Sequence, residues 1–176
     1  MNVDYYKKIA NSSAHRKSRD ENKDFIFEHP EYLSDLVEIA FDTNDKNHHK
    51  ACWILELICE EQINLFKPFI IDYCNSLKKF KSESAIRSIS KIGMFIVNDK
   101  SIELDNEQEE QIIETFLDWL IQTDKAANAA YSMRALYQLG KKHSWVNEEL
   151  KTLLQRDCND QTPGYKFAVK DILKRL

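Results

Sequence analysis

Four times along this chain an alanine is followed by apolar residues four and seven or eight places on, and that spacing constrains the fold more than any other feature. Ala51 leads to Leu55 and Ile58, Ala85 to Ile89 and Ile92, and Ala129 to Met133 and Leu136. Ala168 leads to Ile172 and then to Leu176, with Arg175 standing at the plus-seven position. Residues spaced by three, four and seven share one face of an α-helix, so each string predicts a helix with a single buried stripe.

Each of these helices is preceded by another amphipathic segment. Leu33, Leu36, Val37, Ala40 and Phe41 form the first stripe, and Asn44 or Asp45 is placed to cap the helix that follows. Phe66, Phe69, Ile70, Tyr73 and Leu77 form the second, with Pro68 expected in a first turn, where its missing N–H costs nothing, and Ser82 as the next cap. The third opens with Asp105 and Gln108 at capping-box spacing and runs through Ile112, Ile113, Phe116, Leu117 and Leu120. Its partner carries Ala126, Ala129, Ala130, Met133, Leu136 and Tyr137, and Gly140 is expected to end it in a left-handed conformation. Ser144 opens a fourth segment through Val146, Leu150, Leu153 and Leu154, and Thr162-Pro163 marks the start of the last helix.

The repeat alanines are 34, 44 and 39 residues apart. Such irregular intervals suit HEAT repeats, with a period of about 40–47, better than tetratricopeptide repeats, which hold near 34. The expectation is an all-α, right-handed superhelix of HEAT-like repeats, about four helix pairs after an N-terminal helical arm. Residues 1–29 read as that arm, mostly solvated and docked through Phe25-Ile26-Phe27, and residues 30–176 as the repeats of a single domain.

Composition agrees with helix and narrows the setting. Three glycines and three prolines in 176 residues leave little turn chemistry for a sheet and no glycine-rich phosphate loop. A net charge of −4 lacks the electrostatic footprint of a general DNA or RNA binder. Cys52, Cys59, Cys74 and Cys158 stand singly in or beside apolar stretches, and the start MNVDYYKKIA has no apolar core of a signal peptide. No window reaches the roughly 18 apolar residues of a membrane span. These observations predict reduced thiols and a cytoplasmic protein.

The strings HKACWILELICEE, KSESAIRSISKIG, FLDWL, AAYSMRALYQLGKK and GYKFAVKDILKRL resemble a group of short uncharacterised HEAT-like proteins of Bacteroidota. That resemblance implies the repeat fold and no activity. Members can carry the label adenylosuccinate lyase, but the Ser-rich loop with a Met-Pro-x-Lys-x-Asn core that this enzyme uses does not occur here.

In a two-layer solenoid the second helices usually line the concave, partner-binding face. Positions plus two and plus six from each alanine project together, away from the core stripe. They read Trp53 and Leu57, Arg87 and Lys91, Tyr131 and Ala135, then Lys170 and Lys174, with Arg134 nearby. The aromatic and basic members, Trp53, Arg87, Lys91, Tyr131, Arg134, Lys170 and Lys174, form the candidate site for a protein or acidic peptide, or a phosphorylated ligand. An ordinary solvated helix face accounts for the same residues. The expected function is therefore a non-enzymatic interaction scaffold.

The alternative is a nucleic-acid enzyme. The string AAYSMRALYQLGKK also faintly resembles HEAT-like alkylpurine DNA glycosylases, which hold damaged bases with tryptophans and an aspartate in a basic groove. Trp53, Trp119, Trp145 and Asp118 supply those residue types without aligning to that site. FLDWL more naturally puts Phe116, Leu117 and Leu120 in the core and Asp118 toward solvent. His48 and His49 are adjacent on a helix and point about 100° apart, so they do not readily share a metal. No catalytic residue, metal set or cofactor site is assigned.

Overall fold

The computed structural model of the chain describes residues 1–122, 126–156 and 161–176, and of Ala126 only the backbone. Cys158 lies outside the described residues. Among the described residues the only regular structure is helical. The α-helices are α1 (Val3–Ala10), α2 (Arg16–Glu28), α3 (Leu33–Phe41), α4 (His48–Gln62), α5 (Ile70–Ser76), α6 (Glu83–Asn98), α7 (Asn106–Gln122), α8 (Ala126–Leu139), α9 (Ser144–Leu154) and α10 (Pro163–Leu173). After α1 and α2, eight further α-helices follow in chain order among the described residues. The chain divides into two compact units, Met1–Ile89 and Ser90–Leu176, with the boundary inside α6.

The alanine register is the core register. Ala51, Ala85, Ala129 and Ala168 are all buried, as are Leu55, Ile89, Met133 and Ile172 at plus four and Ile58, Ile92 and Leu136 at plus seven. Full burial of one Leu, Ile or Met side chain contributes about 1.5–3 kcal/mol, so this stripe supplies much of the folding drive.

In the first unit, α4 is buried on nearly every side, from Ala51 and Cys52 through Ile54 to Cys59. α1, α2 and α3 pack around it, which is why a helix with so little amphipathic contrast is stable there. The N-terminal segment is correspondingly less solvated than its sequence suggests. Its few apolar residues share a face, and Tyr5, Ile9 and Ile26 are buried in the core. Lys50 Nζ donates to the Ala10 carbonyl, satisfying one of the orphan acceptors at the end of α1. Tyr73 is buried and donates its hydroxyl to the Ile89 carbonyl at 2.9 Å, joining α5 to α6.

In the second unit, α8 is central, contacted by α7, α9 and α10. Its small residues Ala129, Ser132 and Ala135 are fully buried, which lets neighbouring helices approach closely. Ala135 therefore does not project outward as its plus-six position suggests, and Leu57, the corresponding residue of α4, is buried too. Both helices are covered on more than one side.

The helix ends test the local signals one by one. At α7 the capping box is reciprocal: Gln108 N donates to Asp105 Oδ1 at 2.8 Å and Asp105 N donates to Gln108 Oε1 at 3.1 Å. At α10 the Thr162 hydroxyl accepts from Tyr165 N at 3.3 Å and Pro163 occupies the first turn. Neither Asn44 nor Asp45 caps α4, which starts later, at His48. The Asp45 carboxylate instead accepts from Asn47 N at 2.6 Å and from the Tyr6 hydroxyl at 2.8 Å. Pro68 lies inside a 3-10 turn, Ile63–Phe69, that precedes α5. Gly140 ends α8 without positive φ, so its conformational freedom is not what the position uses.

Candidate functional site

Helical periodicity places Tyr131, Arg134 and Gln138 on one face of α8, at steps of three and four. Lys91, Met94 and Asn98 repeat at three and four on the part of α6 that belongs to the same unit. The two faces meet. Lys91 Nζ stands 5.9 Å from the Tyr131 ring centroid and 5.5 Å from that of Phe95, an ammonium held over aromatic faces.

Beyond that contact lies a cleft of about 280 Å³. Met94 and Asn98 come from α6, Arg134, Tyr137 and Gln138 from α8, Lys141 from the turn after α8, and Ile172 and Arg175 from α10 and its end. Ile172 is almost wholly buried and makes an apolar floor. The cations differ in how they are held. Arg175 is oriented by Asp171, with its Nε at 3.2 Å and Nη2 at 3.0 Å from the same oxygen. Lys141 donates to Gln138 Oε1 at 2.7 Å and lies 5.1 Å from the Tyr137 ring centroid. Arg134 is exposed and makes no ion pair or hydrogen bond among the described residues. No carboxylate is among the residues that line the cleft.

Chemically, three cations border a small space lined on one side by the buried Ile172. Arginine stays ionised at all physiological pH, so the charges of Arg134 and Arg175 are permanent. The arrangement is suited to hold an anion.

The residues named from sequence are distributed between the two units. Lys91, Tyr131 and Arg134 lie together in the second, as just described. Lys170 and Lys174 are exposed on and just after α10 and do not line the cleft. Trp53 and Arg87 belong to the first unit and are engaged in joining α4 to α6. Trp53 Nε1 donates to Ser84 Oγ at 2.8 Å, while Arg87 Nη1 lies 2.9 Å from Glu56 Oε2. Ser88 Oγ donates to the same oxygen at 2.6 Å. Glu56 is only 1% exposed, so these partners satisfy a buried carboxylate.

Tyr137, Gln138, Lys141, Asn98 and Arg175 were not marked as site residues by the alanine register. One signal for Arg175 was visible, since it occupies a position that is apolar in the other three repeats. Asn98 carried none, because its role depends on which helix α6 lies against.

A second charged cluster joins α7 to the turn after α8. Glu109, largely buried on α7, is 2.6 Å from His143 Nε2 and 2.8 Å from Lys142 Nζ. Burial opposes its ionisation, but the hydrogen bonds from Lys142 and His143 prevail and hold its carboxyl below the usual range. Elsewhere, Trp119 is buried and stacks on Phe116 at 5.2 Å, Asp118 is exposed as its place in FLDWL predicts, and Trp145 is exposed. His48 and His49 present their rings at 86° to one another, and among the described residues no group of three or more His, Cys, Asp and Glu has a metal-holding arrangement. Cys52, Cys59 and Cys74 are buried, and burial pushes Cys52 and Cys59 well above the ordinary thiol range. Among the described residues no helix is long and apolar enough to cross a membrane.

Comparison with protein-family models, with curated proteins and with solved structures gives no match to this chain.

Proposed function

We propose that this chain is a cytoplasmic, non-enzymatic interaction module built of HEAT-like helix pairs, and that its second unit binds an acidic segment of a protein partner. The observation that carries the proposal is the α6/α8/α10 cleft, where Arg134, Lys141 and Arg175 gather with no carboxylate in the lining although the whole chain is acidic. Lys91 over Tyr131 extends the cationic strip along the α6/α8 seam, giving an extended ligand more than one point of contact. The buried alanine register and the succession of helices after α2 support the HEAT-like reading.

The test is fluorescence anisotropy of a labelled glutamate-rich peptide against the full chain at two salt concentrations. Binding is expected to weaken as salt rises, because exposed charges are screened. The double variant Lys91→Glu, Arg134→Glu should lose binding while keeping the helical circular dichroism of the parent. Unchanged binding by that variant would remove the cleft from the proposal, and release of methylated bases from alkylated DNA would overturn its non-enzymatic part.

A further inference from the structure

The cleft is more specific than a general acidic-segment binder requires. Resting on the reading above, we propose that it selects a phosphorylated side chain of the partner over a carboxylate. Three observations lead there.

The first is donor geometry. Arg134 and Arg175 bring two planar guanidinium groups to one small space, and Lys141 adds a point charge. A guanidinium fork matches pairs of oxygens on a tetrahedral oxyanion. A phosphate monoester offers three such oxygens and about 1.5–2 negative charges, so it can engage three cations together. Asp171 already pairs with Arg175, so Arg134 and Lys141 are the two cations left to balance, and a carboxylate, with one charge, balances only one of them.

The second is preorganisation. Asp171 fixes Arg175 through Nε and Nη2, and Gln138 fixes Lys141. Two of the three cations are thus positioned before ligand arrives, which lowers the ordering cost of binding. Arg134 supplies the unpaired charge that a ligand would neutralise.

The third is size. Small-molecule and cofactor sites run from about 300 to 1,000 Å³, and this cleft, at about 280 Å³, falls just below them. It suits one ionic group carried on a longer ligand rather than a whole nucleotide or cofactor. The neighbouring α6/α8 seam, with Lys91 over Tyr131, is where the rest of an acidic segment would run.

The experiment compares one labelled acidic peptide in three forms, with serine, glutamate or phosphoserine at its centre, binding to the full chain. The phosphoserine form is expected to bind about tenfold more tightly than the glutamate form. Arg134→Gln and, separately, Lys141→Gln should each shrink that preference to about threefold or less. Both side chains are exposed, and thermal melting verifies that the variants are folded. Equal binding of the glutamate and phosphoserine forms would overturn the phosphate preference and leave the acidic-segment reading standing. A preference that survives both substitutions would place phosphate recognition outside this cleft and equally overturn the inference. Binding of none of the three peptides would reject both readings together.

Discussion

The side-chain amide of Asn147 occupies the space that a Cβ on residue 140 would need. A Cβ built on Gly140 would stand 1.9 Å from Asn147 Oδ1, while Asn147 Nδ2 donates to the Gly140 carbonyl at 3.0 Å. The glycine is thus required by a close approach from α9, not by a left-handed backbone.

Because the obstructing atoms end a rotatable side chain, the clash can be relieved only by giving up the bond to the Gly140 carbonyl. Gly140→Ala is expected to destabilise the protein by about 1 kcal/mol, the net worth of one such hydrogen bond. In an Asn147→Ala background the same substitution should change sign and stabilise by about 0.4–1 kcal/mol, since it then only restricts the unfolded chain. Urea unfolding of the four proteins measures this coupling. Additive effects would show that the two residues do not compete for one space.

Arg87 and Glu56 set a second test, and the outcome separates a structural pair from a surface charge. Removing the guanidinium takes a cationic partner at 2.9 Å from a carboxylate that is 1% exposed. Arg87→Met should cost about 3 kcal/mol, the lower end for breaking a buried ion pair because Arg87 itself is partly exposed. Arg87→Met with Glu56→Met should recover most of that loss. A single variant as stable as the parent would mean that Glu56 is satisfied without Arg87.

The Glu109 cluster predicts a pH dependence. Its folded pKa is depressed, after the hydrogen bonds from Lys142 and His143 outweigh burial. A depressed carboxylate contributes stability that is present above its unfolded value near 4.5 and lost as pH falls through the lower folded value. Glu109→Gln should therefore reduce stability at neutral pH and flatten the decline below about pH 4.5 relative to the parent. Unfolding curves collected from pH 7 to pH 3 provide the measurement, and parallel pH profiles for the two proteins would refute the assignment.

Much of the helical framework was legible in the sequence, because a helix is made by interactions three and four residues apart. The stripes through Ala51-Leu55-Ile58 and Ala129-Met133-Leu136 needed nothing distant to be recognised, and every one of those residues is buried. The same holds for Asp105 with Gln108 and for Thr162 with Pro163, where capping is settled within a single turn. Local signals misplaced the start of α4, where Asp45 finds Tyr6 from a distant segment more rewarding than the helix end. They also gave the wrong reason for Gly140, whose neighbour Asn147 belongs to the next helix.

The candidate site was legible only in part. Arg134 is spaced for the same α8 face as Gln138, and periodicity alone places those two together. What periodicity does not contain is the rotation of one helix about its axis against another, which ridge-and-groove packing of whole side-chain surfaces decides. That rotation turned Arg87 onto Glu56 and Trp53 onto Ser84, and it closed a cleft from Asn98, Arg134 and Arg175 on three different helical segments. The sequence by itself determined where most of the helices run and the main apolar stripe of each, since both follow from short-range geometry. Only the tertiary structure decided which charges are neutralised and which remain exposed to a ligand, since that depends on partners far away in the chain.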